Sequence, residues 1–407
     1  MKTPPIDLQR RRVLAGGAFA LAGAGLPGLV RAQAASVDLP IANGHRQLVA
    51  FPEKRPLIVL TSRPPQLETP FEVFNDGLIT PNDAFFVRYH NAAIPTSVDG
   101  DKHVIRIGGN AVGKPFQLTV AELRSQFKPV ELVAVNQCSG NSRALFDPRV
   151  QGGQLTNGAM GNARWTGVPL KDVLARAELQ DAARQVTFNG LDEGVMGGGD
   201  FVKALDVRHA MDGEVMIAWQ MNGQDLPMLN GFPVRLIVPG YYGTYWVKHL
   251  SEIEVIDKTF EGFWMNPAYR IPDNDCACIA PGTTPAATRP IGRFNVRSFI
   301  TSVADGARVN AGQPLRVRGI AFDGGQGIRE VAFSVDGGAS WREATLGAEL
   351  GRYSFREFSF GFVPERGAYD LRVRAFNRSG QSQPMQALWQ PAGYMRNVVE
   401  SVKVTAA

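Results

Sequence analysis

Only three cysteines, Cys138, Cys276 and Cys278, occur in the 407 residues. So few exclude a disulfide-stapled scaffold, and their spacing gives neither C-x-x-C-H for covalent haem nor paired C-x-x-C for zinc. H-E-x-x-H is missing as well, and only five histidines are present, which removes a common zinc-hydrolase pattern. No G-x-G-x-x-G follows a strand to open a helix, so a Rossmann dinucleotide fold is not expected. The chain also lacks a strong charge of one sign. Its 43 Lys+Arg stand against 38 Asp+Glu, and the first 34 residues hold Lys2, Arg10, Arg11, Arg12 and Arg31 against Asp7 alone. The remainder is nearly neutral, which argues against nucleic acid or an anionic membrane as partner. Beyond those residues no run approaches the ~20 apolar residues of a bilayer span.

What is present begins with a leader. Arg10-Arg11-Arg12 precedes an apolar stretch from Val13 to Val30 and a small-x-small site, Ala32-Gln33-Ala34. This is the order of an export signal. The form QRRRVLA further suggests twin-arginine export of an already folded protein into a bacterial periplasm. Cleavage is expected after Ala34.

Two domains are expected after residues 1–34: 35–285 and 286–407, divided within CACIAPGTTPAATRPIGR. The first offers strands such as HVIRIGG, ELVAVNQC, QVTFNGL and EVMIAWQMNG, rich in β-branched residues. FPVRLIVPG and VKHLSEIEVI are further strands. It has few helices. One is expected from Ala121, capped by Thr119 with Glu122 three residues on, and another in PLKDVLARA. Strands do not alternate with long helices, so the class is α+β with mixed sheet. From about Phe294 onward short alternating segments, LRVRGIAF, EVAFSVD, FREFSF and YDLRVRAF, are separated by turn residues. They predict an antiparallel sandwich of immunoglobulin type, without an inter-sheet disulfide.

The chemistry concentrates in AVNQCSGNSR, residues 134–143. Cys138 ends a strand and enters a loop, where a thiolate serves as nucleophile or soft-metal ligand and a thiol otherwise packs as a small apolar group. Arg88 and His90, two residues apart in an extended segment, share a face. It is cationic at Arg88 and chargeable at His90, or else a solvated strand edge. Arg143 adds a second guanidinium, suited to oxyanions. Arg235 and Lys248 sit in the glycine-rich GFPVRLIVPGYYGTYWVKHL. That stretch reads equally as a phosphate-binding segment or as a turn between strands.

Taken in order, FFVRYH, QCSGNSR, GNARWTGVPLKDVL, FNGLD, MNGQDLPMLNGFPVRLIVPGYYGTYWVKHL and GFWMNPAYRIP resemble the sulfite oxidase family of molybdenum enzymes across nearly the whole chain after the leader. The resemblance implies a sulfite-oxidase-type molybdopterin domain followed by the immunoglobulin-like sandwich. It implies an oxo-molybdenum centre with one molybdopterin, Cys138 as the protein ligand, and no haem in this chain. Phe86, Val87, Arg88, Tyr89, His90, Asp192, Asn230, Arg235, Trp246, Val247 and Lys248 match positions that hold the pterin and its phosphate. Arg88 and Arg143 match the substrate-anion pocket, Tyr269 matches the active-site tyrosine, and His90 is expected to hold Arg88 or Tyr269. The activity implied is oxidation of sulfite to sulfate, of the periplasmic sulfite dehydrogenase type, with a c-type cytochrome as one-electron acceptor. Rival readings are a sulfoxide or nitrate reductase of the same fold, and an exported binding protein without redox chemistry.

The sequence departs from the family pattern at several places. Asn230 replaces a histidine, which predicts an amide contact to the pterin. Ser142 replaces one arginine, a tryptophan and a lysine expected before GNARW are missing, and Ala392 stands where an arginine is expected. Arg396 is the candidate to restore that charge. Cys276 and Cys278 are expected to be free thiols.

Overall fold

A computed structural model describes residues 35–194 and 199–407, so the expected leader lies outside the described residues. Residues 35–407 pack as one compact unit. The first five strands, Ser36–Asp38, His45–Val49, Leu57–Ser62, Pro65–Glu68 and Val87–Arg88, form an antiparallel sheet in chain order. The last of them delivers Arg88 and His90. A mixed sheet follows, ordered Lys203–Asp206, Gln185–Asn189, Glu252–Ile256, Val104–Gly108, Phe116–Thr119. Its one parallel pair joins Glu252–Ile256 to Val104–Gly108.

The site-bearing sheet is antiparallel. Val130–Gln137 pairs along its length with Met160–Pro169, which pairs with Met216–Met221. Trp165 is fully buried there, and its indole N–H donates to the Ala134 carbonyl at 3.1 Å. A buried indole needs such a partner, and this one anchors the strand that ends at Cys138. The helices among the described residues are short: Val120–Gln126, Leu170–Ala175 and Val207–Ala210. The first starts one residue before expectation, with both arms of the capping box formed: Glu122 N–H donates to Thr119 Oγ1 at 3.2 Å, and Thr119 N–H to the Glu122 carboxylate at 2.8 Å.

The sandwich contains sheets ordered Arg297–Ile300, Leu315–Phe322, Arg356–Phe362, Thr345–Leu346 and Ala307–Val309, Ser401–Ala406, Gly367–Asn377, Ile328–Ser334, Arg342–Glu343. Its core holds the stacked Phe333 and Phe360 rings, 4.1 Å apart. One pair in it, Ala307–Val309 with Ser401–Ala406, is parallel, so the sandwich is not purely antiparallel. The division at 285/286 falls between Arg270–Pro272 and Thr288–Pro290, which pair with each other. Apolar contact also crosses it, with Phe71 edge-on to Phe299 and Phe74 to Phe355.

Two expected strands lose the most length. FPVRLIVPG is strand only at Arg235–Ile237, and VKHLSEIEVI begins pairing at Glu252. Among the residues released from the second, Lys248 lines the cleft and His249 takes the left-handed region at φ 49°. Cys276 and Cys278 are not free: they form a disulfide. Ala277 between them adopts φ 49°, and this turn brings their Cα atoms to 5.1 Å, within disulfide reach.

Candidate active site

Cys138 leaves its strand with its N–H on the Ala159 carbonyl at 2.9 Å, and its own carbonyl accepts from Asn141 N–H at 3.0 Å. The loop closes tightly because Ser142, not Gly140, takes the left-handed conformation, at φ 69°. Gly140 serves differently. A Cβ there would meet the Arg143 guanidinium at 2.7–2.8 Å, so glycine is what lets Arg143 fold back over its own loop. Gly152 and Gly393 also press on that side chain. Its Nε donates to the Ala392 carbonyl at 3.1 Å, and its guanidinium lies 5.0 Å from the Tyr394 ring centroid.

Cys138 is buried and unbridged and opens into a cleft of about 620 Å³, open solvent at its mouth included. Phe86, Val87, Arg88, Tyr89, His90, Asp192, Asn230, Arg235, Trp246, Lys248 and Tyr269 line it with Cys138. Two expected residues do not. Val247 packs in the core with its carbonyl accepting from Leu236 N–H, and Arg143 stands behind Tyr394, which stacks on Tyr269 at 5.3 Å. Arg396 does not restore the missing charge either, because its guanidinium is bound to Glu400. Glu400 also meets Arg297, a fully buried guanidinium from the first sandwich strand whose Nη2 donates to Ser142 Oγ at 2.6 Å. A cation thus reaches the Cys138 loop at Ser142 from the far part of the chain.

The charged groups of the cleft are buried, and most of them are cationic. Arg235 is 3% exposed between Trp165 and Trp246, with Nη1 on the Asn230 carbonyl at 2.8 Å and Nη2 on the Trp246 carbonyl at 3.2 Å. Burial lowers its pKa to about 9. Lys248 Nζ sits 3.3 Å from the Tyr89 ring centroid and donates to the Arg88 carbonyl. Burial first, then Arg235, pushes its pKa well down, while Asp192 raises it. Asp192 is itself pushed up by burial. The Asn230 amide is committed to protein, accepting from Lys54 Nζ and donating to the Phe86 carbonyl. Asn230 lines the cleft, and its amide also supports Phe86 and Lys54.

Arg235 Nε, Thr244 Oγ1, Asn136 Oδ1 and Ser139 Oγ are buried without a partner. Native interiors rarely leave such groups unpaired. Four orphaned polar atoms, surplus cations and a thiol fit a polyanionic, sulfur-liganded cofactor such as molybdopterin. A second grouping of possible ligands, His209, Asp212 and Glu214, faces Arg293 and Arg352, which already pair with Glu214.

His90 Nε2 is hydrogen-bonded to the Tyr269 hydroxyl, and its ring stacks on Phe201 at 3.9 Å. Burial and then Arg88, Lys248, Lys203 and Arg143 hold its pKa well below the usual imidazole value, so it is neutral rather than a second cation. Tyr269 is buried, takes φ 56°, and has its pKa pushed up, chiefly by burial. A left-handed non-glycine at such a place is strain held by its surroundings.

Sequence reasoning missed Tyr394, Phe201, Trp264, Lys54, Arg297 and Lys203. Lys203 is fully buried, its Nζ 4.9 Å from the Tyr269 and 4.8 Å from the Tyr245 ring centroids and bonded to the Trp264 carbonyl. Burial lowers the pKa of Lys203 to about 7, and that of Lys54 likewise to about 7. Unfolded lysines keep their protons to 10.5, so between the two values the unfolded chain binds more protons and stability rises with pH. Their contribution is complete above 10.5 and lost as pH falls through 7. Glu68, raised by burial to about 7 from 4.5, acts the other way between those two values. Unfolding midpoints are expected to rise from pH 7 to pH 9, and Lys203→Met should flatten part of that rise. Equal slopes in both proteins would remove Lys203 from the account.

Comparisons with known proteins agree with this geometry. Residues 91–264 match the family model "Oxidoreductase molybdopterin binding domain", and residues 288–407 match "Mo-co oxidoreductase dimerisation domain". Sulfite oxidase of Arabidopsis thaliana is 31% identical over 301 residues, covering 70% of this chain and 75% of that protein. Mitochondrial sulfite oxidase of Homo sapiens is 33% identical over 282 residues, 67% of this chain and 50% of that protein. The chain spans about half the length of such animal relatives. Over 98% of this chain and 96% of the other, the fold superposes on the sulfane dehydrogenase SoxCD of Paracoccus pantotrophus, with a TM-score of 0.72 at 24% identity. The fold and site define a molybdopterin-binding oxidoreductase. The chain belongs to the sulfite oxidase family.

Proposed function

We propose that this chain is a sulfite dehydrogenase: it oxidises sulfite to sulfate in a bacterial periplasm, after twin-arginine export, and passes electrons singly to a c-type cytochrome. The observation that carries the reading is the cationic cleft around Cys138, which combines a soft ligand for molybdenum with an anion-seeking wall. Cys138 would hold the metal, and Arg235 and Lys248 would hold the pterin phosphate. When bound, molybdenum supplies two-electron oxygen-atom transfer.

The remaining chemistry belongs to the protein. Arg88 in the cleft wall and Arg143 behind Tyr394 draw the sulfite anion inward, and their charge counts for more in a buried site than in water. Tyr269 keeps its proton across the working range and is a hydrogen-bond donor to a substrate oxygen. It can donate only if its oxygen accepts from His90, so His90 must carry its proton on Nε2. Stacking on Phe201 fixes the imidazole for that bond. The Tyr269→Phe variant should keep fold and molybdenum content yet lose ~100- to 1,000-fold in kcat, the range for one oriented donor. Unchanged single-turnover rates would make the hydroxyl a bystander.

Parallel assays test the reading itself. Sulfite with ferricyanide or cytochrome c as oxidant should give turnover, whereas nitrate or a sulfoxide with a reduced dye should give little. The reverse ranking would favour a reductase of the same fold.

A further inference from the structure

Phe263 is 57% exposed, one of the most exposed large apolar side chains described. Its ring meets Trp264 edge-on at 5.0 Å. Behind the half-buried Trp264 lie the rings of His90 at 4.8 Å, Phe201 at 5.1 Å and Tyr269 at 6.4 Å, all of which line the cleft. The turn that carries them is fixed by Met265 N–H on the Gly262 carbonyl at 2.8 Å and Ala268 N–H on the Phe263 carbonyl at 3.0 Å. One turn therefore sets Phe263 in water and Tyr269 in the cleft, with a single indole between them.

The surroundings of Phe263 are acidic. Asp257 and Glu261 are exposed just before it. The Trp264 indole donates to the Gly199 carbonyl at 3.5 Å, which brings exposed Asp200 alongside, and Asp200 accepts from Gly194 N–H next to exposed Glu193. Lys258 is the one base in 257–267. An apolar tip with exposed carboxylates nearby in the chain suits a partner whose own apolar patch is flanked by lysines, since such complementarity steers encounter and fixes orientation.

We propose that Phe263, Trp264 and these carboxylates form the docking surface for a basic one-electron carrier of the c-type cytochrome class, and that electrons leave the cleft here. The inference rests on the function proposed above. Sulfite and one water give sulfate, two protons and two electrons; the protons go to solvent. Two oxidised carriers each take one electron, their haem iron passing from ferric to ferrous. Electron transfer slows steeply with distance, and here only Trp264 separates a docked partner from the cleft wall.

The test uses the loaded enzyme, with Phe263→Ala and Glu261→Lys, and compares a basic cytochrome c with ferricyanide as oxidant. Both variants should lose ~10-fold or more in kcat/KM for the cytochrome, the scale of an interface anchor, while ferricyanide rates stay at the wild-type level. Glu261→Lys should also weaken the salt dependence. Calorimetric binding of oxidised cytochrome c without sulfite should weaken in parallel, a readout that stands even if sulfite is not the substrate. Wild-type cytochrome binding and kinetics in both variants would overturn the docking site, as would equal losses with both oxidants. A wild-type dimer that Phe263→Ala dissociates, with cytochrome binding intact, would assign the surface to a second copy of the chain and overturn it too. Absence of sulfite turnover with ferricyanide in the wild type would instead sink the parent reading.

Discussion

Cys138→Ser should yield folded protein with almost no sulfite oxidation. The Cys138 position is fixed by backbone, through Ala159 and Asn141, and serine is smaller and makes no new clash, so the loop should persist. What changes is ligand chemistry: a thiolate is a soft, anionic donor, whereas a serine hydroxyl stays protonated near neutrality. Loss of partners outside the first coordination sphere already costs ~10- to 100-fold in such sites, so loss of the ligand itself should cost more than about 100-fold. The melting midpoint without cofactor should stay close to wild type. A molybdenum-loaded serine variant with near-normal turnover would contradict the assignment.

Arg235→Met should divide stability from cofactor binding. The guanidinium is almost wholly buried, its Nε has no partner, and burial already lowers its pKa to about 9. Without an anion opposite it, that charge costs free energy to bury, and even buried ion pairs are often replaced by apolar side chains of similar volume with no loss or a gain of ~1–4 kcal/mol. Methionine fits the slot between Trp165 and Trp246 and is adaptable in shape. Cofactor-free Arg235→Met should therefore melt higher than cofactor-free wild type, while copurifying molybdopterin falls ~10-fold or more. A variant that melts lower and keeps its cofactor would make Arg235 a structural residue.

Much of the fold was legible because its signals are local. The Thr119–Glu122 capping box, the β-branched Val130–Gln137 strand and the alternating Leu315–Phe322 strand each depend on neighbours in sequence, and each formed within a residue or so of expectation. Cys138 was legible for the same reason, as a thiol at a strand end. Residues reaching the site from afar left no such trace. Tyr394 stacks on Tyr269, and Arg297 reaches Ser142 across the fold. Lys203 looks like any strand lysine until its burial is seen. His90 illustrates a subtler limit, since spacing placed it correctly beside Arg88, but its neutrality follows from burial and four surrounding cations. The Cys276–Cys278 bridge depends on a left-handed Ala277, which alanine does not announce.

The central claim is that Cys138 ligates molybdenum in the cationic cleft. X-ray absorption at the molybdenum edge, on purified wild type and Cys138→Ser loaded with cofactor, tests it most directly. The account predicts one more sulfur neighbour of the metal in the wild type than in the variant, where only the sulfurs of the pterin remain. The same sulfur coordination in both proteins would contradict it.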